Sequence, residues 1–149
     1  MRTQRGFTLI ELLIVVAIIG IIATIAVPNL MTAMNRSKQT RTMADMKAIA
    51  VACENYSIDN NFYPVQTSQG PVVGISGGLS PAYMKVIPDA DAWNNPLQYG
   101  TTAGGSAYTL RSFGKDGQKN GGAGGFSSFD CDIVLQGGQF TSYPKGSQS

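Results

Sequence analysis

The side chains that could carry chemistry in this sequence are few, and none of them is a histidine. Three aspartates, Asp116, Asp130 and Asp132, flank a glycine-rich stretch near the C-terminus. Calcium takes about six to eight oxygen ligands from carboxylates and backbone carbonyls, and glycines let carbonyls turn toward an ion. The same residues are also typical of a solvated glycine loop with turn-forming aspartates. The residues alone leave both interpretations open.

The two cysteines, Cys53 and Cys131, offer a second kind of chemistry. They could form one disulfide if the domain lies outside the cytoplasm, where such bonds persist. That bond would join a helix to the last predicted strand and stabilise the fold by about 2–4 kcal/mol. The alternative is a pair of separately buried thiols.

Enzymatic function is not expected. The absence of histidine removes the commonest general base and metal ligand. Neither a G-x-S-x-G nucleophile motif nor a phosphate-binding P-loop is present, and three aspartates in a glycine loop do not make an active site. The net charge is +2, from 11 basic and 9 acidic residues. So small a charge gives no reason to expect a nucleic-acid partner.

The longest apolar run in the chain is Phe7 to Val27, FTLIELLIVVAIIGIIATIAV, with Glu11 as its single charge. As an α-helix this run spans roughly 30 Å, the thickness of the hydrocarbon core of a bilayer. A carboxylate deep in lipid costs about 2.5 kcal/mol or more. Glu11 therefore needs either a partner or a position near the hydrated interface.

The segment before this run, MRTQRG, differs from an ordinary secretory signal. Such signals place a small-residue cleavage site after a short apolar core. Here the small residue, Gly6, comes before the apolar run. The two possibilities are an uncleaved membrane anchor, or cleavage after Gly6 that leaves the apolar helix on the mature chain.

The helical pattern continues beyond the apolar run. Gly20 and Pro28 weaken a helix locally, but residues 29–58 contain no glycine or proline. A buried stripe is predicted on this second half, and it comprises Met43, Met46, Ala50 and Cys53, with Ile49 and Tyr56 beside it. The sequence predicts one helix of about 50 residues, wholly apolar in its first half and amphipathic in its second.

Beyond Pro64 the pattern favours a small antiparallel sheet. Strands are predicted at residues 97–99, 107–113 and 132–135, where Tyr108 and Leu110 share one face and Arg111 the other. Residues 66–80 are predicted as a loop, and residues 82–88 as a short helix or strand. The tail after Gly137 is expected to be loose. Helix first and sheet second is an α+β arrangement.

The N-terminal residues Gly6-Phe7-Thr8-Leu9-Ile10-Glu11, followed by an apolar helix, resemble the cleavage and assembly motif of the type IV pilin superfamily. The resemblance implies a pilin-like fold with a long helix on a small sheet. It further implies that a prepilin peptidase cuts between Gly6 and Phe7 and that Phe7 is then N-methylated. Subunits would polymerise through the helix, with Glu11 neutralising a neighbour's N-terminal amine.

Two downstream segments resemble the major pseudopilins of type II secretion. Residues 83–99 resemble a turn with an Asp-Pro-Trp-Gly-x-Pro core, although Ala92 and Asn94 replace its proline and glycine. Residues 108–133 resemble the C-terminal loop of that family. This second resemblance implies that Ca²⁺ binds to Asp116 and to Asp130 or Asp132.

The resemblance also implies an organisation for the chain. Residues 1–6 would be a leader, 7–28 a transmembrane and filament-core helix, 29–62 an amphipathic helix, and 63–149 the loop and sheet region. The subunit would lie in the bacterial inner membrane with a cytoplasmic N-terminus, then in a periplasmic or cell-surface filament. Its expected partners are copies of itself, the prepilin peptidase, the assembly platform, minor pseudopilins and membrane lipid.

Several alternatives remain at this point. Gly20 and Pro28 could either be ordinary irregularities of a membrane helix or let the segment extend on packing into a filament. The chain could be a major type IV pilin that serves adhesion or motility. It could also be a membrane-anchored binding module that never polymerises, in which case the N-terminus would stay uncleaved.

Overall fold

The computed structural model describes residues 6–66, 68–119 and 128–145. Its first element, α1, is a helix of 52 residues from Leu9 to Asn60. The prediction of one helix of about 50 residues is therefore confirmed. The helix ends at Asn60, and Asn61 adopts a left-handed conformation with φ of 62°, as is common just after a helix terminus.

Pro28 lies inside α1 without ending it. Proline has no N–H to donate to the preceding turn, so a helix that continues through it must satisfy carbonyls in other ways. The carbonyl that lacks its usual donor is that of Thr24. Nearby, Asn29 Nδ2 donates to the Ile25 carbonyl at 3.2 Å, and one turn earlier Thr24 Oγ1 donates to the Gly20 carbonyl at 2.8 Å. The suggested flexibility at Gly20 and Pro28 stays a prediction.

The chain divides into two compact units, residues 1–35 and residues 36–149. In the first unit α1 contains an 18-residue window of mean hydropathy 2.9, none of it buried. By length and composition this helix could cross a membrane. The large apolar side chains of residues 7–34 are all exposed, each by 47% or more.

The second unit contains α1 from Arg36 onward and a five-stranded antiparallel sheet. The strands follow chain order across the sheet, and they are β1 Gly70–Pro71, β2 Gln98–Thr101, β3 Tyr108–Ser112, β4 Ile133–Gln136 and β5 Gln139–Ser142. The three predicted strands are present as β2, β3 and β4. The tail prediction was wrong at its start, because β5 pairs with β4 as an edge strand.

Two further segments differ from the prediction. Residues 66–80, expected as a loop, contain β1, a 3₁₀-helix at Val72–Ile75 and a short helix, α2, at Ser76–Leu79. Val72, Ile75 and Leu79 are buried, and their spacing of three and four is helical, a signal that the surrounding glycines and serines obscured. Residues 82–88, expected as a short helix or strand, form turns and irregular structure because no strand pairs with them.

The core lies between α1 and one face of the sheet. The predicted stripe on α1 is confirmed: Met46, Ile49, Ala50 and Cys53 are buried, with Met43 and Tyr56 packed at the margin. The sheet contributes alternate residues, as expected for strands with one buried face. These are Leu97 before β2, Tyr99, Tyr108, Leu110, Ile133 and Leu135.

Both cysteines are buried, and among the described residues neither is joined in a disulfide. Cys53 lies within the core cluster, whereas Cys131 lies outside it, just before β4. Burial is the main cause that raises the pKa of the Cys53 thiol from 9.0 to about 12. Burial also raises the pKa of Tyr99 and Tyr108.

These shifts predict a dependence of stability on pH. The unfolded chain ionises Cys53 near its ordinary pKa, whereas the folded chain keeps the thiol neutral to about pH 12. Stability from this group is therefore complete below about pH 9 and is lost as pH rises toward 12. We expect the free energy of unfolding, from urea titrations of the chain in detergent, to fall as pH rises from about 9 toward 12.

Cys53→Ala is the control for this prediction. The variant should be less stable at neutral pH, because a buried side chain is shortened, but its stability should decline less steeply with pH. Identical slopes for the two proteins would show that Cys53 is not held neutral by the core.

Candidate functional site

The predicted cleavage bond lies just ahead of α1. Residues 6–8 are non-helical, the helix begins at Leu9, and Phe7 is 77% exposed. Peptidases act on accessible backbone outside regular structure, and the Gly6–Phe7 bond lies in such a segment. The first five residues of the predicted leader lie outside the described residues.

Thr8 and Glu11 together cap the N-terminus of α1. The Thr8 backbone N–H and Oγ1 both donate to Glu11 Oε2, at 2.9 and 2.8 Å. In return the Glu11 backbone N–H donates to Thr8 Oγ1 at 3.3 Å. This reciprocal pattern is a capping box, which satisfies helix donors that have no partner within the helix.

The capping box is a feature that the sequence analysis missed. The motif T-x-x-E at residues 8–11, at the start of the apolar run, is the sequence signature of this cap. Glu11 thus has an intramolecular contact in addition to the assembly role that the resemblance implies. The positive end of the helix dipole also stabilises a carboxylate at this position.

A second organised site is the turn between α2 and β2, which is built around Asp91. This carboxylate is 6% exposed. Its Oδ1 accepts the backbone N–H groups of Trp93 and Asn95, each at 2.9 Å, and its Oδ2 accepts Ser112 Oγ at 2.7 Å. Asp91 therefore closes the turn on itself and ties it to the end of β3.

The two departures from the pseudopilin turn have structural counterparts. Asn94, in place of glycine, has a positive φ of 72°, a conformation that asparagine tolerates better than most residues. Ala92, in place of proline, uses its backbone N–H to donate to Thr42 Oγ1 of α1 at 3.0 Å. A proline could not make this bond, so the substitution adds a contact between the turn and the helix.

The turn also contacts the C-terminal loop. Asn95 Nδ2 donates to the Gly114 carbonyl at 2.7 Å. Gly114 has a φ of +68°, and a Cβ there would lie 2.7 Å from the Cys131 carbonyl oxygen and 2.8 Å from that of Phe129. Only glycine fits such an approach of two backbone segments. The start and the end of the loop are therefore held together beside the turn.

The three predicted calcium ligands have different surroundings. The side chain of Asp132 is fully buried, and its Oδ2 accepts a hydrogen bond from Arg111 Nη1 at 2.9 Å. A guanidinium this close already balances the carboxylate and would repel a divalent cation. Asp132 consequently does not fit the role of a calcium ligand.

Asp116 and Asp130 lie on the two sides of the loop, and Asp116 is exposed while Asp130 is half-buried. Asp116 Oδ1 accepts the Gln118 N–H at 3.0 Å, and Asp130 Oδ2 accepts Ser128 Oγ at 2.9 Å. Within the described ranges, no three acidic, cysteine or histidine side chains cluster to hold a metal ion. Any ion at this loop would need backbone carbonyls beside these two carboxylates.

Comparison with known proteins identifies two family models along the chain. The model described as type II secretion system (T2SS), protein G, matches residues 29–128. The model described as the prokaryotic N-terminal methylation motif matches residues 1–27. Together they cover the apolar helix, the Asp91 turn and most of the sheet. No solved structure matches the chain significantly.

Curated relatives agree with these models. The chain is 38% identical over 141 residues to the type II secretion system core protein G of Pseudomonas aeruginosa, covering 89% of this chain and 94% of the relative. Proteins of the same name from Vibrio cholerae and Escherichia coli are 34% and 35% identical. The Vibrio match covers 81% of this chain and 87% of the relative, and the Escherichia match 77% and 84%.

The contacts of Asp91 predict a large effect of its removal. Asp91→Ala would leave two backbone N–H groups and the buried Ser112 hydroxyl without their acceptor, so we expect a loss of about 2–4 kcal/mol in the free energy of unfolding. Urea unfolding followed by far-UV circular dichroism would measure it.

Asp89→Ala is the matched control, because Asp89 is an exposed aspartate two residues earlier in the same turn region. We expect a change of no more than about 0.5 kcal/mol for this variant. Equal losses in the two variants would contradict the role assigned to the Asp91 carboxylate.

Proposed function

The chain belongs to the type II secretion system protein G family of structural pseudopilins, and on that premise we propose that it is a major pseudopilin that polymerises to drive protein export. It is not an enzyme. The observation that carries the proposal is the N-terminal arrangement. An exposed, non-helical Gly6–Phe7 bond directly precedes a capped apolar helix of which no part of the 18-residue hydrophobic window is buried.

Processing is the first step of the proposed function. The chain enters the inner membrane with its N-terminus in the cytoplasm, and the prepilin peptidase cleaves after Gly6. Removal of Arg2 and Arg5 changes the balance from 11 basic and 9 acidic residues to 9 of each. Phe7 then bears the new amine and receives the methyl group, as the methylation motif over residues 1–27 supports.

The apolar half of α1 supplies the driving force for the later steps. Leaving a large aliphatic side chain in water rather than burying it costs about 1.5–3 kcal/mol. The exposed apolar residues of positions 7–34 therefore need lipid before assembly and the helices of other subunits afterwards. The assembly platform and minor pseudopilins are the expected partners for moving the subunit from one environment to the other.

Glu11 has a proposed role in this transfer. In the free subunit its carboxylate caps the helix through Thr8. In the filament, we propose, it neutralises the Phe7 amine of a neighbouring subunit. Two charges that are each costly in an apolar setting become tolerable as a pair, and the pair sets the axial register between subunits.

N-terminal mass analysis combined with imaging of sheared filaments tests the proposal. We expect purified filaments to contain a chain that begins at methylated Phe7. A chain that retains Met1 or Arg2 would favour the non-polymerising membrane anchor. Long filaments on the cell surface at native expression would favour a type IV pilin.

Glu11 variants separate its two contacts. We expect Glu11→Gln to keep the helix cap, because glutamine also serves in a capping box, but to lose the charge that pairs with the amine. Filament yield, measured from sheared material by immunoblot, should fall by about tenfold or more, since one charge-assisted contact per subunit is lost.

Thr8→Val is the matched control for the cap. It removes the hydroxyl from the capping box and leaves the Glu11 charge intact, so filament yield should fall less than in Glu11→Gln. Both variants should remain in the membrane fraction. Normal filaments from Glu11→Gln would refute the ion pair and leave capping as the role of this residue.

We also propose that the C-terminal loop binds Ca²⁺ through Asp116 and Asp130, with backbone carbonyls completing the shell and Asp132 taking no part. The support is the chemistry of the two carboxylates on either side of a glycine-rich loop and the resemblance of the loop to that of major pseudopilins. When bound, the ion would cross-link the two sides of the loop and balance their negative charge.

Calorimetric titration of the chain in detergent with Ca²⁺ tests this site. We expect Asp116→Asn and Asp130→Asn each to weaken calcium binding by about tenfold or more, since each removes an ionised ligand. Chelation should lower the melting temperature by a few degrees in wild type, because ligand binding stabilises the folded state. Asp89→Asn, outside the loop, should change neither quantity, and a wild-type melting temperature unaffected by chelator would remove the calcium proposal.

A further inference from the structure

An open cavity of about 330 Å³ lies between α1 and the segment that follows β5. Arg36, Thr40 and Gln39 line it from the helix, and Tyr143 and Lys145 line it from the C-terminal segment. Its volume is at the lower end of the roughly 300–1,000 Å³ that small-ligand sites occupy. The cavity lies wholly within the second unit of the chain.

The wall of this cavity is held in place by contacts on both sides. The Gln39 side chain is 8% exposed, and its Nε2 donates to the carbonyl of buried Pro144 at 2.5 Å. Tyr143 packs edge-on against Phe140 of β5, with ring centroids 6.3 Å apart. The segment that carries Tyr143 and Lys145 is thus attached to α1 and to the sheet.

The cavity is cationic. Arg36 and Lys145 are both exposed and both line it, and none of the described residues around it is acidic. Of the nearby helix charges, Arg41 pairs with Asp45 at 3.8 Å, outside the cavity. The Thr40 hydroxyl donates to the Arg36 carbonyl at 3.0 Å, so the cations and Tyr143 are the groups that face a ligand. Two cations beside an exposed tyrosine suit a phosphate group better than an apolar ligand.

The position of Arg36 along α1 indicates where that phosphate comes from. Residues 12–35 contain no charged side chain, and Arg36 is the first charge after Glu11. As a helix these 24 residues span roughly 36 Å, which exceeds the hydrocarbon core of about 30 Å and ends within the headgroup layer. Arginine, lysine and tyrosine are the residues that concentrate at this level of a membrane.

We propose that the cavity lined by Arg36, Tyr143 and Lys145 binds the phosphate of an anionic phospholipid headgroup while the subunit waits in the membrane. The proposal rests on the membrane-anchored stage of the proposed function. It gives the unassembled globular part a specific attachment at the bilayer surface, in addition to the apolar span. Extraction of the subunit for assembly then requires release of that headgroup.

Native mass spectrometry of the full chain in nonionic detergent tests the proposal, with phosphatidylglycerol and phosphatidylcholine of equal acyl chains as probes. We expect tighter retention of phosphatidylglycerol by the wild type. Each cation near an anionic lipid contributes about fivefold to affinity, so Arg36→Gln/Lys145→Gln should weaken phosphatidylglycerol binding about 25-fold. Circular dichroism should show unchanged folding, because both side chains are exposed.

The matched control is Lys38→Gln/Arg41→Gln, which also removes two positive charges, both from α1 and both outside the cavity lining. It should weaken phosphatidylglycerol binding less than threefold. Equal weakening by both double variants would show that diffuse surface charge, and not the cavity, retains the lipid. Displacement of the lipid by millimolar inorganic phosphate would show that the cavity binds free phosphate rather than a lipid headgroup.

One further result distinguishes this proposal from the function above. If the cavity variant retains phosphatidylglycerol like wild type but fails to form filaments, Arg36 and Lys145 contact another subunit and the lipid site is refuted. The N-terminal mass of wild-type filaments tests the pseudopilin function independently, because that measurement does not involve Arg36 or Lys145.

Discussion

The globular part of the chain depends on one contact, the packing of a single face of α1 against the inner face of the sheet. The strands are at most five residues long, and sheets of such short strands need a partner surface to be stable. Met46, Ile49 and Cys53 provide that surface. The buried tyrosines keep their hydroxyls bonded, since Tyr99 donates to the Pro64 carbonyl and Tyr108 to Glu54.

The loops of the sheet are organised by polar contacts rather than by apolar burial. Asp91 bonds its own turn and Ser112 of β3, and Asn95 joins that turn to Gly114 of the C-terminal loop. Arg111 of β3 pairs with Asp132, which lies just before β4 and beside the same loop. Removing one member of such a network leaves its partners buried and unsatisfied, which is why these positions are more sensitive than their location in loops suggests.

The first half of α1 differs from the globular part, because its large apolar side chains are exposed in the part of the chain that the structure describes. The segment is helical because a helix satisfies its own backbone, which any apolar environment requires. The Thr8–Glu11 capping box closes its N-terminal end. In the proposed function, the membrane and then the filament core surround this segment in turn. The proposed roles of Glu11 and Arg36 lie at the two ends of the uncharged stretch between them.

Much of this protein could be predicted from the sequence because the relevant signals are local. The long helix, its buried stripe, three of the strands and the N-terminal motif follow from periodicity and residue type within short windows. The exposed N-terminal segment and the apolar run are also features that a short stretch of sequence predicts. The T-x-x-E cap was equally local, although it was overlooked.

Other features depended on residues that meet only in the folded chain. Asp132 was one of the candidate calcium ligands, and β3 places Arg111 beside it. Cys53 and Cys131 are both buried, but only Cys53 belongs to the core cluster. The edge strand β5 formed because β4 offered it a pairing partner. The sequence by itself determined the helix and its assembly motif, whereas the tertiary structure decided which polar side chains are already paired, because long-range contacts leave no local pattern.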